Sequence, residues 1–307
     1  MKIAVIGSGG VGGYFGGKLA LAGHEVTFLA RGKHLEAIQE NGLQILSPQG
    51  DFLVKPAQTT ADMTTIGQVD LIILGVKAWQ VKENLPQLHA LIGKKTMILP
   101  LQNGVLVPEE LKDELKEAYV LGGLCRIFSE IEAPGVIRHV GVEPTIVFGA
   151  LNNEKSEQLL QLKDDFEQAG IKAKVADDIQ VELWKKFIFI CSGGLIALTH
   201  SNYGKLRELP ETRELMKALL NEIYVVAQKA GVQVKAEYVE NTLSFIDAFP
   251  AEATTSLARD IWEGKPSELE YQNGTVVKLG EKYGIETPVN RFVYTCLLPQ
   301  ELEARKS

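Results

Sequence analysis

Six residues near the start, Gly7-Ser-Gly-Gly-Val-Gly12, constrain the fold of this 307-residue chain more than any other segment. They follow a short apolar run, Ile3-Ala-Val-Ile6, and lead into a helical pattern near residues 11–22. Strand, glycine turn and helix in that order give the spacing its meaning. Gly7 permits a tight turn, Gly9 lets an anion approach the backbone, and Gly12 lets the helix pack close to the strand. The unpaired N–H groups at the helix start, at the positive end of its dipole, suit a pyrophosphate. Gly7, Ser8, Gly9, Gly10, Val11 and Gly12 are therefore the expected phosphate loop. Glycine turns also serve packing alone, but the run Glu25-Val-Thr-Phe-Leu29 supplies the second strand that a dinucleotide fold requires.

The end of that second strand indicates which dinucleotide to expect. NAD-binding folds place Asp or Glu there to hold the ribose 2′-hydroxyl. This chain reads Phe28-Leu-Ala-Arg-Gly-Lys33, with Ala30 and Arg31 at the diagnostic place. A carboxylate would repel a 2′-phosphate, whereas a guanidinium grips it with two charge-assisted hydrogen bonds. NADP(H) is the expected cofactor, with Lys33 or His34 as a second positive contact. The plainer alternative is that Arg31 is a solvated loop charge.

The alternation of apolar runs and helical segments continues through Asp70–Leu74, Thr96–Leu99 and Tyr119–Gly122. It predicts a Rossmann-type, doubly wound α/β sheet, with a hairpin at 43–55 and further strands near 136–140, 144–149 and 171–175. After about Ala176 helical periodicity takes over, at 178–199, 211–231, 235–248, 254–263, 268–283 and 289–304. The expected domains are 1–176, sheet and cofactor, and 177–307, all-α. With 32 Lys+Arg against 39 Asp+Glu, the net charge of −7 disfavours a nucleic-acid partner. Cys125, Cys191 and Cys296 have neither metal-ligand spacing nor a disulfide framework, so no metal is expected. The uncharged stretch Ile3–Gly17 has 15 residues, seven of them glycine, where a membrane span needs about 20 apolar ones. The expectation is a cytoplasmic protein with no membrane partner. A helical second half can pair two copies as a homodimer or close over a cleft, and the sequence leaves both open.

Three further segments carry chemistry. Lys77, in Val76-Lys-Ala-Trp-Gln80, and Gln102-Asn103-Gly104 each follow a strand, at the ligand edge of such sheets. Glu182-Leu-Trp-Lys-Lys186 opens one later helix and Lys265-Pro-Ser-Glu-Leu-Glu-Tyr271 another. With these residues and Ser256-Leu-x-x-Asp260, the whole chain resembles the ketopantoate reductases. The resemblance implies a helical second domain like the C-terminal part of 6-phosphogluconate dehydrogenase. It also implies NADPH-dependent reduction of 2-dehydropantoate to (R)-pantoate. Lys186 would donate a proton or hydrogen bond to the ketone, and Glu268 would bind substrate and orient that lysine. Lys77 and Asn103 would lie where cofactor and substrate meet, Gln102 beside the cofactor, and Ser256 against the substrate. The chemistry is sound in itself, because hydride delivery builds negative charge on the ketone oxygen and a positioned ammonium stabilises it.

Two other readings of the same residues stand beside it. Lys185 and Lys186 could be ordinary solvent-facing charges, and Ser267 with Glu270 could form a capping box, leaving Glu268 to complement a helix dipole. The family also carries asparagines four and eight residues after the lysine, where this chain has Ile190 and Gly194. On one continuous helix these positions share the lysine's face. Ile190 would then offer no donor and Gly194 would leave open space, with Ser201, Asn202 or Tyr203 as candidate replacements. The alternatives are a reductase of another branched or aromatic 2-oxo acid, or a non-catalytic NADP-binding regulator.

Overall fold

Apolar runs buried on both faces build the first half of the chain into a mixed ten-stranded sheet. A computed structural model describes residues 1–306. The chain groups into two units, one of Met1–Gln102 with Val107–Ile179, the other of Asn103–Leu106 with everything from Gln180 onward.

In chain order the first unit contains β1 (Lys2–Ile6), α1 (Gly10–Leu21), β2 (Glu25–Leu29), α2 (Gly32–Asn41), β3 (Leu43–Leu46), β4 (Phe52–Val54) and β5 (Gln58–Thr60). It continues with β6 (Val69–Leu74), α3 (Val81–Leu88), β7 (Ile92–Pro100), α4 (Val107–Glu114), β8 (Tyr119–Ala133), β9 (Val136–Ala150), α5 (Glu157–Gln168) and β10 (Lys172–Val175). The sheet order is β4-β3-β9-β8-β7-β6-β1-β2-β5, with β10 also on β9. The six strands from β8 to β5 are all parallel. Counted among themselves in chain order they run 3-2-1-4-5-6 across the sheet, the Rossmann arrangement. Ile3 pairs with Val26 on one side and Leu71 on the other, so β1 lies at the centre and none of Ile3–Ile6 is exposed.

The hairpin expected at 43–55 is present as β3 and β4, with Leu43 opposite Val54. Two features exceed the expectation. The two strands expected near 136–140 and 144–149 are one, β9, and β8 runs on to Ala133, antiparallel to it. The outer half of β8 is exposed or half-buried and carries Glu130 and Glu132, so it lacks the apolar run by which strands are recognised. β5 is the short polar run Gln58-Thr-Thr60, silent for the same reason.

The second unit is helical: α6 (Ile179–Ile190), α7 (Gly193–Thr199), α8 (Tyr203–Glu208), α9 (Pro210–Lys229), α10 (Tyr238–Ala248), α11 (Ser256–Trp262), α12 (Thr275–Tyr283) and α13 (Pro288–Ala304). A single π-helical turn, Glu270–Gly274, leads into α12. The helix expected over 178–199 is therefore two, divided at Cys191-Ser192, where Ser, Gly and Gly follow one another and helix propensity is weak. α8 was not foreseen; its start is set by Asn202, whose Oδ1 accepts the Lys205 N–H. Among the described residues no helix is long and apolar enough to cross a membrane, and no group of three His, Cys, Asp or Glu could hold a metal ion.

Candidate functional site

The phosphate loop is built where the strand order reverses, between β1 and β6. Gly7 has φ +95°, and a Cβ there would lie 2.7 Å from the Val76 backbone nitrogen. Gly75 flanks the loop from β6, its N–H donating to the Ile6 carbonyl at 2.8 Å. A Cβ on Gly12 would lie 2.1 Å from the Gly7 carbonyl oxygen, so α1 packs onto the loop with no room for a side chain. Gly10 has a packing reason of its own, since its Cβ would lie 2.4 Å from the Ser129 carbonyl oxygen of β8. At Gly9, by contrast, a Cβ would meet nothing within 4 Å. Gly9 caps α1 without a side-chain partner, leaving the first helical N–H groups beside an open approach, which fits a bound phosphate. Ser8 faces inward: its N–H and its hydroxyl both donate to the Leu29 carbonyl, at 3.2 Å each.

Arg31 follows β2 after one residue, Ala30, and is exposed, with no hydrogen bond or ion pair holding its guanidinium among the described residues. Lys33 is likewise exposed. His34 requires a correction. Its Nδ1 accepts the Gly135 N–H at 3.0 Å, so that nitrogen carries a lone pair, and Nε2 must be the donor to the Ser8 carbonyl at 3.0 Å. In this arrangement the ring is neutral and both nitrogens are engaged. His34 ties the phosphate loop to the β8–β9 turn and offers no positive charge to a ligand.

Lys77 follows β6 two residues after Gly75, and its N–H donates to Gln80 Oε1 at 3.1 Å, closing a short 3₁₀ turn over Ala78–Gln80. Gln102, just beyond β7, donates from Nε2 to the Leu74 and Val76 carbonyls at 2.9 and 3.0 Å. It fastens the segment that carries Lys77. Its Oε1 is buried with no partner among the described residues.

In the helical unit, Asn103 Nδ2 donates to Glu268 Oε2 at 2.8 Å, joining residues 165 positions apart. Glu268 is only 4% exposed. Gly104 makes this approach possible: it has φ +106°, and a Cβ there would lie 2.8 Å from the Tyr271 carbonyl oxygen. Lys186 stands on α6, whose buried stripe is Leu183, Trp184, Phe187 and Ile188. That stripe leaves Lys186 and Ile190 half-buried on the other face, one turn apart. The adjacent Lys185 pairs with Glu182 at 3.2 Å. Ser256 is the exposed first residue of α11.

Gly194 does not stand on one continuous helix with the lysine. The α6 ladder stops at Ser192, whose hydroxyl turns back to the Phe189 carbonyl at 2.6 Å, and the Gly194 N–H reaches only to Cys191, three residues earlier. Nor does Gly194 leave open space, because a Cβ there would lie 2.4 Å from Asn273 Oδ1 and 2.6 Å from Val293. A Cβ on Gly193 would lie 2.7 Å from Thr255 Oγ1, next to Ser256. Asn273, in the π turn, donates to the Cys191 carbonyl at 3.1 Å. The break is thus gripped from both sides, and the segments carrying Lys186, Ser256 and Glu268 converge on it. Asn202 and Tyr203 are committed elsewhere, Asn202 to capping α8 and to Glu252, the Tyr203 hydroxyl to buried Ser192.

The alternative capping box is absent. Glu270 bonds instead to Lys278 and to the Tyr294 hydroxyl. Burial pushes the Glu270 carboxyl up, but those two bonds outweigh it and hold it below its ordinary range. The Tyr294 phenol is pushed up to about 12, by burial first and by that carboxylate second. Ser267 is held by Glu301 from α13 and by Arg305, the residue that caps its C-terminus. Neither of those residues has a local sequence signal.

The model of the family ketopantoate reductase PanE/ApbA matches residues 3–153, and that of its C-terminal part matches residues 178–301. An oxidoreductase of Bacillus subtilis (strain 168), YkpB, described as uncharacterized, is 31% identical over 99% of this chain and 100% of its own length. The crystal structure of a PanE/ApbA family ketopantoate reductase from Ralstonia eutropha JMP134 superposes with a TM-score of 0.91 at 30% identity, covering 99% of this chain and 100% of that one. A ternary structure of D-mandelate dehydrogenase with NADH and anilino(oxo)acetate gives a TM-score of 0.89 at 25% identity, covering 99% and 100%.

Proposed function

The chain belongs to the ketopantoate reductase family, an oxidoreductase family, and from that premise we propose that it reduces 2-dehydropantoate (ketopantoate) to (R)-pantoate with NADPH, Lys186 acting as general acid. The observation that carries this reading is the Asn103–Glu268 bond. It puts into contact two residues that the resemblance assigns to one substrate site.

The loop Gly7–Gly12 would hold the cofactor's pyrophosphate on the first N–H groups of α1, and Arg31 its 2′-phosphate, with Lys77, Gln102 and Asn103 toward the nicotinamide. When bound, the reduced nicotinamide supplies a hydride to the substrate ketone. Lys186 Nζ donates a hydrogen bond to the ketone oxygen, stabilises the negative charge that develops there, and passes it a proton. Glu268 and Ser256 bind substrate, and Asn103 fixes the Glu268 carboxylate through Oε2. The open guanidinium of Arg31 supports the choice of NADPH, as does the absence of a carboxylate at the end of β2. Arg31→Ala is expected to raise the NADPH Kd about 10- to 100-fold, the worth of a charge-assisted hydrogen bond. NADH binding should change by less than about 3-fold. Equal losses for both cofactors, measured by fluorescence titration, would remove Arg31 from 2′-phosphate recognition.

A second reading is favoured by Ile190. An apolar side chain on the lysine's face cannot hydrogen-bond a substrate hydroxyl, and the likeness to a mandelate dehydrogenase points the same way. Under this reading the substrate is another branched or aromatic 2-oxo acid. NADPH oxidation with 2-dehydropantoate, 2-oxoisovalerate, pyruvate and benzoylformate separates the two. The highest kcat/KM is expected for 2-dehydropantoate. A value for benzoylformate or 2-oxoisovalerate ten times higher would transfer the assignment to that acid. NADPH binding without turnover of any of the four would make the protein a regulator.

A further inference from the structure

The C-terminal helix α13 sends a carboxylate into the interior beside the proposed substrate site. Glu301 is only 3% exposed. Its two oxygens accept the Ser267 N–H at 3.2 and 3.0 Å, and Oε2 also accepts the Ser267 hydroxyl at 2.5 Å. One helical turn on, Arg305 pairs with Glu301 at 2.7 Å, and its Nη2 donates to the Ser267 carbonyl at 3.1 Å. The N–H, the hydroxyl and the carbonyl of Ser267 are thus all held by one i, i+4 pair. The Ser267 hydroxyl also receives the Leu269 N–H at 3.1 Å, so the clamp spans both sides of the residue between. That residue is Glu268.

We propose that Glu301 is a positioning residue: with Arg305 it clamps Ser267 and so sets the direction in which Glu268 presents its carboxylate. The proposal rests on the reading of Glu268 as a substrate-site residue. Stability alone is a weak reason for such an arrangement, because a buried ion pair must offset the desolvation of both charges and an apolar pair of similar volume often serves as well. Orientation is a better reason. The segment 265–267 is irregular, and helical bonding starts only at the Glu268 carbonyl, which accepts the Gln272 N–H at 2.9 Å, so no helical ladder fixes the peptide plane that precedes Glu268. Asn103 holds Glu268 by one oxygen, which fixes the carboxylate tip, while the clamp fixes the backbone from which it springs. Together they leave the side chain little freedom. A displacement of about 1 Å at a catalytic constellation can cost on the order of 100-fold in rate.

The test is a double-mutant cycle read by steady-state kinetics, using NADPH and whichever of the four 2-oxo acids above gives the highest kcat/KM. Glu301→Gln is expected to lower kcat/KM about 10- to 100-fold while the NADPH Kd stays within about 2-fold. In the Glu268→Gln background the same substitution should cost almost nothing further, because the clamp acts through Glu268. Ser267→Ala, which leaves the Glu301–Arg305 pair intact, is the second variant should Glu301→Gln fold poorly. Its expected cost is smaller, about 3- to 10-fold, and it should likewise vanish in the Glu268→Gln background. A kcat/KM sensitive to Glu268→Gln but indifferent to both clamp variants overturns the clamp alone. Losses that multiply with that of Glu268→Gln also overturn it. Wild-type kinetics for Glu268→Gln overturn the clamp together with the reading of Glu268.

Discussion

Replacing Lys186 with alanine is expected to lower kcat by about 1,000-fold, by removing the donor on which the ketone's developing charge would rest. Loss of a single oxyanion donor costs roughly 100- to 1,000-fold in kcat, and loss of a general acid adds to it. NADPH binding should be almost unchanged, since α6 lies in a different unit from the phosphate loop. The neighbouring Lys185 is the natural control. Its ammonium is already engaged by Glu182 at 3.2 Å, so Lys185→Ala should change kcat less than about 3-fold. Lys186→Arg separates charge from proton donation: a guanidinium keeps the positive charge but does not release a proton at neutral pH. It should recover part of the lost rate and no more. Stopped-flow and steady-state measurements on the three variants decide the matter. A Lys186→Ala enzyme within 10-fold of wild type, or a larger loss from Lys185→Ala, would take the chemistry away from Lys186.

What the sequence discloses and what it hides divide along the range of the interactions. The glycine loop is legible because turn, approach and packing are all local to six residues, and the parallel order of the central strands follows from alternating apolar runs. Arg31 is legible because the second strand's end has a fixed role in this fold. Lys186, Glu268 and Asn103 are single polar residues in apolar or charged surroundings, and only the resemblance to a family picks them out. The polar outer half of β8 and the three-residue β5 escape because hydrophobic patterning marks only buried strands. The division of α6 from α7 escapes for another reason. Ser192, Gly193 and Gly194 weaken a helix, but its ending there also depends on Thr255 and Asn273, which lie 60 to 80 positions away and occupy the space beside the glycines. His34 has the same lesson on a smaller scale. Its charge state follows from a backbone N–H at Gly135, so a histidine that looks like a phosphate ligand in the sequence is a neutral brace in the structure. The Glu301 clamp is less legible still, since nothing near either end points to the other.

The glycines of the loop also predict opposite outcomes for one chemical change. In an exposed helix, alanine in place of glycine stabilises by about 1 kcal/mol. At Gly12, inside α1, the sign should reverse, because the added Cβ would stand 2.1 Å from the Gly7 carbonyl oxygen and 2.9 Å from Val5. The obstacle is backbone, held by β1 at the centre of the sheet, and no side-chain rotation can relieve it. Gly12→Ala is therefore expected to destabilise the first unit by about 3 kcal/mol or more and to weaken NADPH binding as the loop is forced apart. At Gly9 the backbone has φ −71° and ψ −163°, open to any residue, and a Cβ would meet no protein atom within 4 Å. Gly9→Ala should leave stability within about 0.5 kcal/mol, yet raise the NADPH Kd about 10-fold or more by standing where the pyrophosphate must approach. Urea unfolding followed by circular dichroism, beside cofactor titration, reads both quantities. A stable Gly12→Ala protein would show that α1 can move away from the loop. A Gly9→Ala protein with wild-type cofactor affinity would show that phosphate does not bind at the start of α1. The two substitutions add the same methyl group three residues apart, and whether it meets protein or ligand decides which property is lost.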